Sequence, residues 1–293
     1  MNIEVGIILA FVAMLSWGFG DFLMQRSIRR LGNWRTLFFI STTGAVMLLP
    51  FVWNNIPDIF SPDSRSILTV LLLSSLILFV AAVLDFEALK RGKLAIVEPI
   101  WSVEVPVAGI LAFIILREEI SLLQIILIAT LLVSLIVLSV KENIQIKRFI
   151  LEKGAIYAFL GALFMGVANF MVGWGGRLSD PLMVNFFVDV LIAILSGLYL
   201  LVSKQLQSSF GSFRDNFNIL LSASILDKIA WIAFVFAMVF APIAIATALS
   251  ESYIIVAVIL GLSLNKERLN KYQKWGMILA IISAVILVSV TSL

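Results

Sequence analysis

Ten apolar runs of about twenty residues follow one another along the chain, and this feature limits its folding more than any other. A helix that crosses a bilayer needs roughly 20 mostly apolar residues, because it rises about 1.5 Å per residue. Charged and turn-forming residues separate the runs. The runs predict an all-α integral membrane protein with transmembrane helices at 5–24, 35–53, 66–86, 94–115, 121–140, 154–173, 182–203, 218–240, 243–264 and 275–292.

Composition excludes a water-soluble fold and several kinds of chemistry. Of the 293 residues, 61% are hydrophobic and 13% are charged, whereas soluble domains are about 45–50% apolar and about 25% charged. The chain contains no cysteine and no histidine, which removes disulfides, thiolate ligands and the usual proton carrier near neutral pH. Any proton transfer must therefore use Asp, Glu, Lys or Tyr, and we expect neither a metal nor a cofactor.

The basic residues lie mainly on one side of the predicted helices. Seventeen of the 21 lysines and arginines fall in one alternating set of loops, three fall in the opposite set, and Lys228 lies within a predicted helix. Cytoplasmic loops carry the excess of positive charge in membrane proteins. The distribution predicts a multi-pass protein of the cytoplasmic membrane with both termini outside. The first run lacks a preceding basic region, so we take it as a helix and not as a signal peptide.

The two halves of the sequence are repeats of each other. Each half, 1–145 and 146–293, holds five predicted helices, an odd number, so the second half must enter the bilayer upside down. Inverted repeats recur in secondary transporters, whose substrate site lies near the midplane between the halves. A shift of 148 or 149 residues aligns Gly6 with Gly154, Gly18 with Gly166, Asp21 with Asn169, Arg29 with Arg177, and Arg117-Glu118 with Lys266-Glu267.

Short motifs at matching places in the two halves carry a family resemblance. Ser16-Trp17-Gly18 lies in the first run, residues 87–99 lead into the fourth, and residues 116–121 follow it; residues 241–248 and 264–269 repeat the last two motifs. With these motifs the chain resembles the drug/metabolite transporter superfamily, specifically the EamA-type ten-helix transporters, over its whole length. The resemblance implies two inverted five-helix repeats around a central cavity, and transport of amino acids, sugars or other small metabolites.

The chain departs from the family pattern at four positions. Arg117 and Lys266 stand where the family has glycine before glutamate, and Ala248 and Ile255 stand where it has proline. Proline removes a backbone hydrogen bond from a helix. We therefore expect the ninth helix to be less kinked than the fourth, which keeps Pro106.

Charged residues inside the apolar runs indicate a candidate substrate site. An Asp, Lys or Arg at the centre of a membrane helix costs roughly 2.5–3.5 kcal/mol on insertion, so such residues usually face a cavity or a partner. At 1.5 Å per residue, five of them lie about 10–15 Å into their helices, at a common depth. These residues are Glu104, Asp189, Asp227, Lys228 and Glu251.

Glu104 and Glu251 are the leading candidates because they lie about half a turn apart in equivalent helices of the two halves. They would line the cavity and bind a cationic group or carry protons. Glu251 could instead only neutralise Lys228. Lys228 could hold a substrate carboxylate or phosphate, or pair with Asp227 or Glu251. Adjacent residues on a helix do not face each other, so we expect Glu251 to be its partner.

Other polar and aromatic residues extend the predicted site. Asp189 forms a polar stripe with Asn185, one turn before it, and this stripe could serve either substrate binding or helix packing. Trp17 and Trp101 lie too deep to be interfacial anchors. They could stack on a substrate, close the cavity by a cation–π contact, or pack in the core.

Polar residues nearer the helix ends have two interpretations each. Glu98 lies one turn inside the fourth helix, where it could join the site or meet basic residues at the interface. Asp85 lies close to Lys90 and Arg91, and we expect it at the interface. Asp21 and its repeat equivalent Asn169 could act at a gate.

Three classes of function suit such a chain. A secondary transporter explains the inverted repeat, the buried charges and the kinked fourth helix together. A channel or structural membrane protein should carry one continuous polar stripe, and a membrane-embedded enzyme needs a catalytic cluster that the sequence lacks. The motif G-x-x-x-x-G-K-[ST] is absent, so energy would come from a proton or solute gradient. The expected partners are a small-molecule substrate and the lipid bilayer, with no nucleic acid, for a monomer or homodimer.

Overall fold

The described part of the computed structural model is almost entirely helical. It covers residues 2–92, 97, 100–139, 153–256, 259 and 269–292, and none of these residues lies in a strand. Among them, seven helices are long and apolar enough to cross a membrane, and three apolar helices are shorter. The main helices are α1 (Ile3–Leu31), α2 (Asn33–Val52), α3 (Arg65–Arg91), α4 (Glu104–Leu116), α5 (Leu122–Ser139), α6 (Lys153–Leu178), α7 (Pro181–Val202), α8 (Phe217–Phe240), α9 (Ile243–Ser250) and α10 (Lys271–Ser292).

Each main helix coincides with one predicted run, but several ends differ. α1, α3 and α6 continue five to seven residues beyond their predicted ends. Hydropathy marks where a helix leaves the hydrocarbon, whereas arginine, lysine and glutamine are good helix formers that continue it into water. α1 ends at Gly32, whose φ of 86° suits glycine.

A surface helix, Leu206–Asp215, joins α7 to α8 and was not predicted from the sequence. Its apolar residues Leu206, Phe210 and Phe213 recur at a spacing of four and three, which is typical of an amphipathic helix. The Phe213 ring lies 5.2 Å from that of Phe39 on α2. The ten-residue helix is too short and too polar for a search that looks for spanning segments.

The two halves interlock through contacts that occur twice. α1 packs along α8, as its repeat equivalent α6 packs along α3. In addition, α2 contacts its own repeat equivalent α7, and α5 contacts its own repeat equivalent α10. A Cβ atom at Gly18 would lie 2.6 Å from Val256 Cβ, and one at Gly166 would lie 2.5 Å from Val107 Cβ. Gly166 is the repeat equivalent of Gly18, and Val107 is the repeat equivalent of Val256, so the two contacts are equivalent. Glycine therefore permits two equivalent close approaches between the halves.

α1 and α6, which are repeat equivalents, begin at opposite ends of the molecule. Gly6, near the start of α1, contacts Ala241, and Arg177, near the end of α6, donates a hydrogen bond to the Ala241 carbonyl oxygen at 3.0 Å. At the other end, Gly154 at the start of α6 lies against Gly92, which follows α3. Repeat-related helices of the two halves therefore run in opposite directions.

One group of contacts, which we call the end clamp, joins the two halves near the C-terminal end of α6. Arg177 Nη2 lies 2.5 Å from Glu118 Oε1 and donates to the Met238 carbonyl oxygen at 2.7 Å. Glu118 Oε2 accepts a hydrogen bond from the Ile243 amide at 2.9 Å. The end clamp, formed by Glu118, Arg177, Met238, Ala241 and Ile243, thus ties the ends of α4, α6 and α8 to the start of α9.

Candidate functional site

A cavity of about 160 Å³ lies between the two halves. Its wall is mostly apolar and carries a band of polar and aromatic side chains. Glu98 lies outside the described residues, and the other eight residues predicted for the site line this one cavity: Trp17, Trp101, Glu104, Asn185, Asp189, Asp227, Lys228 and Glu251. Their role in binding a substrate stays a prediction.

Two interrupted helices meet at the cavity. Residues 100–101, just before α4, are helical and give way to a turn at Ser102–Val103, and α9 ends in a turn at Glu251–Ser252. These two turns are equivalent under the 149-residue shift. The Ser252 amide bonds to the Leu249 carbonyl oxygen at 3.1 Å, three residues back, which tightens the helix end.

The expectation of a less kinked ninth helix is therefore wrong for the described residues. The turn at Glu251 forms although proline is missing at 248 and 255. The hydroxyl of Ser252 donates to the Ala248 carbonyl oxygen at 3.2 Å. Serine hydroxyls compete in this way for backbone acceptors and bend helices without proline.

Glu104 and Glu251 meet across the interface of the two halves. Glu104 occupies the first turn of α4, and Glu251 lies in the turn after α9; they are 6% and 5% exposed. Their carboxyl groups lie close together, and the side chain of Asn169 on α6 lies beside Glu104. The interrupted helices bring one acidic side chain from each half to the same point.

Lys228 pairs with Asp189, so the predicted pairing of Lys228 with Glu251 is wrong. Lys228 Nζ lies 2.5 Å from Asp189 Oδ2, and both side chains are almost fully buried. α7 and α8 are neighbours, which brings the two charges together, while Glu251 contacts Glu104. A Cβ atom at Gly44 on α2 would overlap both partners, so glycine leaves room for the pair.

An aromatic wall bounds another part of the cavity. The Trp17 ring packs edge-on against Trp231 at 5.5 Å and against Phe234 at 5.2 Å. The indole of Trp17 also lies beside the carboxylate of Asp227. Trp17 thus combines both interpretations from the sequence: it faces the cavity and packs against the core.

Asp85 lies in the cavity wall, which corrects the expectation that it is interfacial. It is 8% exposed and contacts the Trp101 indole. Its side chain fills the space left by Gly161 on α6. α3 continues to Arg91, so Asp85 lies well inside the helix, and the predicted end at residue 86 concealed this.

Asp21 and Asn169, considered for a gate, also line the cavity, and so does Trp231, which the sequence analysis did not single out. Trp231 lies one turn after Lys228 on α8, and this spacing could have identified it. Among the described residues no group of three His, Cys, Asp or Glu side chains is arranged to hold a metal ion.

Comparisons with known proteins agree on the fold and the family. A sequence model described as the EamA-like transporter family matches residues 4–140 and again residues 152–289. No curated protein matches the sequence. Solved structures do match, and one, recorded as "Crystal structure of protein", has a TM-score of 0.74 at 14% identity, covering 98% of this chain and 98% of that chain. This likeness concerns the fold alone.

Proposed function

Because the chain belongs to the EamA-like transporter family, we propose that it is a secondary transporter of a small polar metabolite. The substrate would be of the amino acid, amine or sugar class and would cross the cytoplasmic membrane by alternating access. The protein is a multi-pass membrane protein. In the proposal it spans the bilayer ten times as two inverted repeats, 1–145 and 146–293, with both termini outside, as a monomer or homodimer.

The contact between Glu104 and Glu251 carries the proposal. In secondary transporters, interrupted helices end at the substrate and ion sites between the repeats. Two ionised carboxyl groups this close repel each other in a buried site, so the proposal places a shared proton between them. Movement of one half against the other would break this contact. Each carboxyl group could then exchange its proton with the side that opens, which couples transport to a proton gradient.

Uptake into liposomes tests the proposal. The purified protein, supplied with labelled amino acids, amines and sugars, should concentrate a substrate when a pH gradient is imposed. Glu104→Gln and Glu251→Gln each remove one proton-carrying group and should lower gradient-driven uptake about tenfold, the equivalent of one charged hydrogen bond. Glu119→Gln makes the same change in an exposed loop and should transport normally.

Two results would contradict the proposal. Unchanged uptake in both cavity variants would remove Glu104 and Glu251 from the site. Flux that follows only the substrate gradient and does not saturate would indicate a channel.

A further inference from the structure

The charges that line the cavity are strongly unequal. Among the described residues, the lining contains one cationic side chain, Lys228, and six acidic ones: Asp21, Asp85, Glu104, Asp189, Asp227 and Glu251. Lys228 is already within 2.5 Å of Asp189. Lys228 thus leaves Asp85, Glu104 and Asp227 with no ion-pair partner among the described residues. In a site with little water this excess attracts a positive ligand and repels a negative one.

One buried acceptor atom in the same wall, Asn169 Oδ1, has no hydrogen-bond partner among the described residues, and its side chain is 2% exposed. Asp85 Oδ1 also has no hydrogen bond in the described part of the chain, but it packs into the space beside Gly161, while the Asp85 carboxylate as a whole lines the cavity. A buried polar atom without a partner costs about 1–3 kcal/mol. A ligand that donates hydrogen bonds would recover this cost. A carboxylate has no proton to donate, whereas an ammonium group has both donors and positive charge.

The remaining wall suits the body of such a ligand. Trp101 lies beside Asp85, and Trp17 and Trp231 form the aromatic wall. A cation over a tryptophan face gains about 0.5–2 kcal/mol. The volume of about 160 Å³ is smaller than the roughly 300–1,000 Å³ of sites for drug-sized ligands. Apolar side chains complete the lining, among them Leu37, Ile40, Leu78, Ala82 and Val188.

We propose that the transported molecule is a small organic cation: a primary, secondary or tertiary amine, protonated at neutral pH, with an apolar body. Its nitrogen binds at Asp85 and Asn169 beside Trp101, and its body lies along Trp17 and Trp231. This inference rests on the proposed transport function and narrows its substrate class. Lys228, held by Asp189, is then a structural cation and not a site for a substrate anion.

Pairs of ligands that differ only in charge test the inference on the unmodified protein. Benzylamine is compared with benzyl alcohol and phenylacetate, and 3,3-dimethylbutylamine with its neutral counterpart 3,3-dimethyl-1-butanol. Binding is measured in detergent at pH 7 by the ligand-dependent rise in Tm. At least one amine should bind about tenfold or more tightly than its neutral isostere, as an ion pair with a buried carboxylate provides. Phenylacetate should not bind.

Asp85→Asn should lower the affinity for that amine about tenfold, whereas Asp63→Asn, the same change at an exposed site, should leave it unchanged. Equal binding of an amine and its isostere, preference for phenylacetate, or no binding of either amine would overturn the inference. The comparison between ligands needs no variant, so it holds even if Asp85→Asn fails to fold. Because binding in detergent requires no transport, a transporter of neutral or anionic molecules would fail this test and still pass the liposome test.

Discussion

Lys228 and Asp189 are charges that the protein keeps almost completely out of water, with 2% and 4% of each residue exposed. Removing such ions from water costs several kcal/mol each, and their attraction offsets this only when the geometry is good. Their separation of 2.5 Å satisfies this condition. The absence of a side chain at Gly44 on α2 provides the space. The pair therefore depends on residues from three helices.

Removing one partner of this pair should destabilise the protein more than removing both. Asp189→Leu leaves the Lys228 charge buried alone and should lower the free energy of unfolding by about 3–5 kcal/mol. Lys228→Met combined with Asp189→Leu should restore most of that loss, because no charge remains to be buried. Denaturant unfolding in detergent measures both variants. If Asp189→Leu alone were as stable as the double variant, Lys228 and Asp189 would not form a charged pair in the folded protein.

The residue types of the candidate site followed from the sequence, but their partners did not. A rise of 1.5 Å per residue places Glu104, Asp189 and Lys228 at similar depth, and the structure puts all three in one wall. Depth does not fix how each helix is rotated or which helices are neighbours. The sequence therefore could not distinguish Asp189 from Glu251 as the partner of Lys228.

At the scale of the helices, α1 approaches the segment after α9 closely at Gly18. A Cβ atom there would lie 2.6 Å from Val256 Cβ, an atom that cannot move without the backbone. Gly20, two residues later, has room for a methyl group, since its nearest neighbour would be Leu226 Cβ at 3.4 Å. The same helix thus offers a tight and a permissive glycine.

Gly18→Ala and Gly20→Ala should consequently change stability in opposite directions. Gly18→Ala forces α1 and the Val256 segment apart and should cost about 1–3 kcal/mol, as overpacking does. Gly20→Ala should stabilise α1 by about 0.5–1 kcal/mol, because alanine favours the helix more than glycine does. Thermal unfolding in detergent compares the two. Equal shifts for both variants would argue against the close contact at Gly18.

The sequence predicted the positions of the main helices because a bilayer demands long apolar segments whatever their neighbours are. It did not predict the turn at Glu251–Ser252, since an interruption inside an apolar run leaves hydropathy unchanged. It also missed the surface helix Leu206–Asp215, whose polar residues outnumber its apolar ones. Both features depend on local hydrogen bonding and packing.

For the whole molecule, equivalent contacts hold the halves together at the two ends. Arg29 donates to the Gly92 carbonyl oxygen at 3.2 Å, which is the repeat equivalent of the contact from Arg177 to Ala241. The end clamp also contains the ion pair of Arg177 with Glu118, from the other half. These bonds favour a closed arrangement at the Arg177 end.

Weakening the end clamp should open the cavity toward that end. The chain has no cysteine, so Val172→Cys, in the cavity wall, gives a single thiol as a reporter. Arg177→Gln should speed its labelling by a membrane-impermeant maleimide roughly tenfold, because charged hydrogen bonds of about 1.5–3 kcal/mol are lost. Arg65→Gln, an exposed arginine at the same end, is the control. Equal labelling rates would show that the clamp does not restrict access.

The interlocked packing of the halves also dictates an order of events on the ribosome. α1 finds its main neighbour in α8, which begins more than 180 residues later. At a synthesis rate of about 5–20 residues per second, α1 waits roughly 10–40 s for that neighbour. Until then Trp17 lacks Trp231 and Phe234, the two rings against which it packs. The nascent chain thus completes the cavity only when nearly all of it has been made, and we expect a truncated first half to be a substrate for membrane quality control.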